Sequence, residues 1–276
     1  MTTPDAVRLA GYVAAWRRAS DDVVALLRDL TEDEWSAPTD LEGWDVKAVA
    51  SHLAHLESEL AGFPQEQVAV PDGLPHVRSL MGTYTEMGVI ARRDHAPADI
   101  VDEFERAVAA RAVELAELAP ADGSGAPPRT PGGIGWDWET LLGNRPLDVT
   151  MHEQDIRRAV GRPGNLDSPG VAHCVRRLVP GLAYVWGKKA GAAPGQTLRV
   201  VISGPTRADL SFGVGDDGRA RALEETPEHP TVTLRLETDE FLVLAGGRRS
   251  AADVGARTVG DPTLGAAVLD HLAVTP

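Results

Sequence analysis

Asp148 and His152 stand four residues apart in a segment with helical patterning, so their side chains project from one face, one turn apart, at a separation that suits a shared metal ion. The same spacing also suits an i,i+4 hydrogen-bonded pair on a solvated face, so a third residue has to decide. His52 is that residue, because it lies in line with Val49 and Leu56 on an earlier helix and so faces a helical interior. His55 lines up instead with Ser51 and Glu59. A histidine facing a core needs a partner for its ring nitrogens, and either a metal ion or a neighbouring carboxylate satisfies that need. Two imidazoles and one carboxylate make a mixed N/O donor set for zinc or another borderline divalent ion. Three protein ligands leave coordination positions for water or substrate, which is the catalytic type of site. A structural zinc would call for a fourth side chain, for which Glu153 is wrongly turned.

These residues have to be positioned by helices. Apolar residues Leu9, Val13, Trp16, Val23, Leu26, Leu27 and Leu30 recur at intervals of three and four and predict an amphipathic helix over residues 6–30. Thr31 with Glu34 reads as a capping box for a short turn through Trp35. Asp45 is the expected N-cap of a second helix over 46–61, which carries His52 and ends at Gly62 and Pro64. Helices are expected over 75–92 and 98–118, followed by an irregular surface loop over 119–135 rich in Gly and Pro. Pro146 is expected in the first turn of a helix that carries Asp148 and His152 and stops at Gly161 and Pro163.

Beyond a connector over 162–170 and a helix interrupted at Pro180, the pattern changes. The segments TLRVVIS, ADLSFGV, RARALEE and TVTLRLE are short, rich in β-branched residues and separated by turn signals, and predict a mainly antiparallel sheet. Thr238 to Leu244 and Pro262 to Leu272 read as helices packed on it, the latter capped by Asp261. The expected organisation is therefore an all-α bundle over residues 1–161 and a smaller α+β domain over 162–276.

Composition narrows the function. The 276 residues carry a formal net charge of -14, from 41 acidic against 27 basic side chains, so nucleic acid is a poor partner. No apolar stretch approaches a membrane span, and the N-terminal residues lack a basic leader with an apolar core, so a cytoplasmic location is expected. Cys174, the single cysteine, sits among Val171, Ala172 and Val175 and reads as a buried structural thiol.

The segments GWDVKAVASHLAHLE (43–57) and DVTMHEQDIRRAVG (148–161) resemble the two hallmark segments of the mycothiol-dependent maleylpyruvate isomerase family, within the DinB-like superfamily. The likeness extends over nearly the whole chain. It implies a DinB-like four-helix metal-binding bundle followed by a C-terminal α+β domain similar to the sterol-carrier fold. It further implies a divalent metal, usually zinc, held by His52, Asp148 and His152, and mycothiol as the thiol cosubstrate. The activity implied is isomerisation, or S-transfer, of a small electrophilic substrate. The alternatives are a metal-dependent hydrolase and a non-catalytic ligand-binding or regulatory protein. One departure stands out: the family's isomerase member has Glu where this chain has Asp148, and the shorter side chain draws the metal toward its helix or binds it through water.

Around this set, Asp155 lies three residues after His152 and either orients its ring N–H or pairs with Arg157 or Arg158. Arg248 and Arg249 beside Gly246 and Gly247 are the basic candidates for binding the thiol's polar portion or a substrate carboxylate, against two solvated arginines in a loop. Trp136 and Trp138 border the Gly-rich loop and either line the site mouth or pack in the bundle.

Overall fold

The computed structural model describes residues 3–275, so Met1, Thr2 and Pro276 at the ends of the two expected domains lie outside it. The chain divides into two compact units, one up to Gly164 and one from Asn165 onward.

The first unit is helical. Its elements are α1 (Asp5–Arg28), α2 (Val46–Leu60), α3 (Leu80–Ala91), α4 (Pro97–Leu118) and α5 (Trp138–Ala159). Helix α1 packs on α4 and α5, and α2 packs on α3, α4 and α5, so the four long helices α1, α2, α4 and α5 enclose one core. That core is built from Leu9, Trp16, Val23, Val49, Leu53, Leu60, Ile100, Phe104, Leu141, Val149 and Ile156, contributed at helical spacing by each member. Caps set the starts of the helices that matter here. Asp45 accepts from the Ala48 amide at the head of α2, and Asp137 accepts from the Thr140 amide at the head of α5. Helix α3 comes so close to α2 at Gly88 that a Cβ there would lie 2.4 Å from the His55 ring, so only glycine permits this approach.

Two helix starts differ from expectation. Helix α3 begins at Leu80 rather than at residue 75, because the Ser79 hydroxyl accepts from the Gly82 amide and fixes the cap there. Helix α5 begins at Trp138, and Pro146 lies inside it rather than in its first turn. The missing N–H of Pro146 removes one ladder bond in mid-helix, yet Leu141, Val149 and Ile156 on either side are fully buried, and their packing outweighs the local loss. The loop over 119–135 holds one short 3₁₀ turn, Pro131–Gly133.

The second unit begins with α6 (Pro169–Leu178), which ends ahead of Pro180, and α7 (Gly181–Tyr184), which runs on into a π turn (Val185–Lys189). The strands follow: β1 (Thr197–Ser203), β2 (Ala208–Val214), β3 (Ala220–Leu223), β4 (Val232–Glu237) and, after α8 (Thr238–Ala245), β5 (Arg257–Gly260), with α9 (Pro262–Asp270) last. The sheet order is β3-β2-β1-β4-β5, antiparallel except for the central β1–β4 pair, in which Val200 faces Leu234. Leu198, Val200 and Ile202 alternate along β1 and are buried, as are Val232, Leu234 and Leu236 along β4. Helix α8 packs against β1 and β4, α9 against β4 and β5, and α7 against β2 and β3. Strand β5 was not predicted: RTVG is four residues long and exposed at most positions, so it carries no alternation to read. Cys174 is buried on α6. Among the described residues no helix is long and apolar enough to cross a membrane.

Candidate metal centre

Within the helical unit, α2 and α5 bring His52, Asp148 and His152 together, with one ligand-type atom from each all within 4.8 Å of one another. On α2, the Asp45 cap and the buried Val46, Val49 and Leu53 fix the helix so that His52 is enclosed beside them, 4 % exposed. On α5, the buried Val149 and Ile156 do the same for the turn bearing Asp148 and His152. Asp148 Oδ1 is 3.5 Å from His52 Nε2 and 3.6 Å from His152 Nε2, too long for strong hydrogen bonds and close to the spacing of donors around one small cation at ~2.1 Å from each. The two imidazoles meet edge to face with centroids 4.9 Å apart.

Three observations bear on whether a cation fits. Both ring nitrogens of His52 are buried without a hydrogen-bond partner among the described residues, a costly state for a polar group unless something else occupies its lone pair. His152 is anchored at Nδ1 by Asp155 Oδ2 at 3.1 Å, which leaves Nε2 to face Asp148 Oδ1. Asp148 is anchored at Oδ2 by Arg145 Nη1 at 3.0 Å, which leaves Oδ1 facing both imidazoles. The donor set thus fits a divalent cation.

The electrostatics agree. Burial alone would push the Asp148 carboxyl up, but the Arg145 guanidinium and the two imidazoles outweigh it and hold the group far below the usual carboxylate range. Burial pushes His52 down, against the pull of Asp148, and so favours the neutral imidazole that a cation needs. Asp148 keeps 27 % side-chain exposure while the two histidines keep less than a tenth, so the cluster meets solvent chiefly at the carboxylate.

Asp155 makes both of the contacts considered for it: besides His152 it accepts from Arg158 at 2.7 Å. Arg157 turns instead to Glu153, at 2.8 Å. Trp138 is buried, and Trp136 packs against the helical core. Arg248 belongs to the second unit, where it donates to the Gly246 carbonyl at 2.7 Å.

Three residues around the cluster escaped the sequence reading. Trp44 lies over both imidazoles, with centroids 5.1 Å from His52 and 6.2 Å from His152, and its indole N–H donates at 2.9 Å to the buried Glu86, which also accepts from His76 at 3.0 Å. Arg145 is 3 % exposed and Glu57 is fully buried. Arg145 donates to Glu57 Oε1 through Nε at 2.9 Å and Nη2 at 2.8 Å. The available signal was position: Arg145 precedes Asp148 by three residues on the same helix face, and Trp44 and Glu57 bracket the segment that holds His52.

Comparison with known proteins agrees with this architecture. Among solved structures, the chain resembles the crystal structure of the mycothiol-dependent maleylpyruvate isomerase with a TM-score of 0.54 at 17% identity, covering 91% of this chain and 92% of that one. A variant of that isomerase with one histidine replaced by alanine matches with the same TM-score at 15% identity and the same coverage. At these identities the likeness is one of fold. No curated protein sequence matches the chain. Residues 16–157, just over half of the chain and spanning α2 through nearly all of α5, match the family described as the mycothiol maleylpyruvate isomerase N-terminal domain, and this chain belongs to that family.

Proposed function

We propose that the chain is a metal-dependent enzyme that uses mycothiol to isomerise a small electrophilic substrate, or that joins the thiol to such a substrate as a thioether with displacement of a leaving group. The observation that carries this reading is the convergence of Asp148 Oδ1 on the Nε2 atoms of His52 and His152, at 3.5 and 3.6 Å, in a family defined by mycothiol maleylpyruvate isomerase. His52, Asp148 and His152 would hold the cation, and two imidazoles with one carboxylate favour zinc. A cation held there would lower the pKa of a coordinated thiol and so favour its thiolate form near neutral pH.

The chain's own residues supply order. Asp155 keeps the His152 proton on Nδ1 and its Nε2 lone pair toward the cluster. Trp44 lies over both rings and is itself held by Glu86, which shields the imidazoles from water on that side. The partial exposure of Asp148 marks where a thiol or substrate reaches the centre. Arg248 and Arg249 are proposed to bind an anionic or sugar-like portion of a ligand to the second unit.

The test is metal content by elemental mass spectrometry for the parent and for His52→Ala, Asp148→Ala and His152→Ala, each checked for folding by circular dichroism. Mycothiol-dependent turnover of maleylpyruvate and related electrophiles is then assayed. About one equivalent of metal in the parent and little in the variants is expected. Turnover that persists without mycothiol would replace the thiol mechanism with hydrolysis, and absence of metal after zinc addition would overturn the metal reading.

A further inference from the structure

Arg145 is enclosed in the helical unit and divides its donors between two carboxylates. Nε and Nη2 both reach Glu57 Oε1, at 2.9 and 2.8 Å, while Nη1 reaches Asp148 Oδ2 at 3.0 Å. Glu57 is held in turn, because the Trp16 indole N–H donates to the same Oε1 at 3.0 Å. Trp16 on α1, Glu57 on α2 and Arg145 on α5 therefore form a continuous buried chain of donors and acceptors that ends on one oxygen of Asp148. A planar guanidinium fixes direction as well as charge, so a carboxylate gripped at Oδ2 has Oδ1 fixed too. An aspartate has one side-chain torsion fewer than a glutamate, so such a grip leaves it little freedom.

We infer that Arg145, braced by Glu57 and Trp16, is a positioning residue that presents Asp148 to a divalent cation through Oδ1 alone. The inference rests on the metal reading given above. The competing role for Arg145 is to neutralise the buried Glu57, with its contact to Asp148 incidental. A burial role depends on charge and volume, whereas a positioning role depends on the fork.

Two variants separate them. Arg145→Lys keeps a cation beside Glu57 but replaces the fork with a single ammonium. The double variant Glu57→Gln/Arg145→Met removes the buried ion pair while an amide oxygen stays in place for the Trp16 indole N–H and the neighbouring Arg111. Zinc affinity is measured by competition with a chromophoric chelator, and the visible absorption of the cobalt(II)-loaded proteins reports ligand geometry independently of turnover. Both folded variants are expected to lose about 10- to 100-fold in zinc affinity and to show shifted cobalt bands. Parent-like affinity and an unchanged cobalt spectrum in both variants would overturn the inference while leaving the metal site standing. A parent that binds neither ion would overturn the metal reading, and the inference with it.

Discussion

Both units bury leucines, valines and a tryptophan, yet they differ in the polar groups they enclose. Among the described residues the helical unit buries Glu57, Glu86, Arg92, Arg111, Arg145, Glu153 and Asp155 together with His52, His55 and His152, while the sheet unit buries only Ser168, His173, Ser211 and Thr238 of its polar side chains. Enclosing ions is expensive, and a buried ion pair is often no more stabilising than an apolar pair of the same size. A helix bundle needs no such groups to fold. Glu57 and Arg145 are thus best understood by what they touch, and the line of contacts from Trp16 leads to Asp148. The sheet unit, with β1 and β4 alternating buried and less buried positions, has the ordinary economy of a packed core.

The contrast can be broken most forcefully at Glu57. Glu57→Leu alone leaves the buried Arg145 and Arg111 without their shared carboxylate and is expected to cost about 4 kcal/mol, read from urea unfolding by tryptophan fluorescence. Five of the six tryptophans lie in the helical unit, so this signal reports chiefly on it. In the sheet unit the matching insult is a cavity: Leu234→Ala, at a fully buried position, is expected to cost about 3 kcal/mol, read as faster hydrogen exchange in β1 and β4 peptides, with metal content unchanged. Smaller and equal effects are expected where the two units use the same device. Asp45→Ala and Asp261→Ala each remove a helix N-cap and should each cost about 1 kcal/mol, read by the same hydrogen-exchange measurement.

The smallest expected effect is one of pH. Burial acts to raise the Glu103 carboxyl, but hydrogen bonds from Arg92 and Ser58 outweigh it and hold the group below the usual range. A depressed carboxylate stabilises the fold above its unfolded pKa, and that contribution is lost as pH falls through the folded value. The urea midpoint of the helical unit should therefore drop on going from about pH 6 to about pH 3. The drop should be smaller in Glu103→Gln, and an equal drop in both proteins would assign the acid sensitivity to other carboxylates.

Local signals made most of the fold legible. Repeats of three and four marked α1, α2 and α4, Asp45 and Asp261 announced their helices, and β-branched composition between turn signals marked β1 through β4. The start of α5 was misplaced because Pro146 is a strong helix-start signal, whereas the true cap, Asp137, lies in a segment crowded with glycine and tryptophan. The cluster of His52, Asp148 and His152 was partly legible because Asp148 and His152 share a helix and His52 falls on an apolar stripe. Arg145, Glu57 and Trp44 were not, since each matters through a partner on another element: Trp16 and Glu57 meet across 41 residues of sequence, and Glu57 and Arg145 across 88. Spacing rules see along one helix, and these contacts form between helices.

His52 sits on α2 and its two companions on α5, with α3, α4 and two long loops between them. On the proposed reading, occupancy of the centre ties together the ends of a loop of roughly a hundred residues, a constraint worth most to a chain that would otherwise open freely. Ligand linkage then adds about 1.4 kcal/mol to the helical unit for every tenfold rise of free ion above its dissociation constant. Supply of the ion would accordingly govern how long the protein survives as well as whether it turns over substrate, because the emptied bundle would open more often and so be exposed to proteolysis.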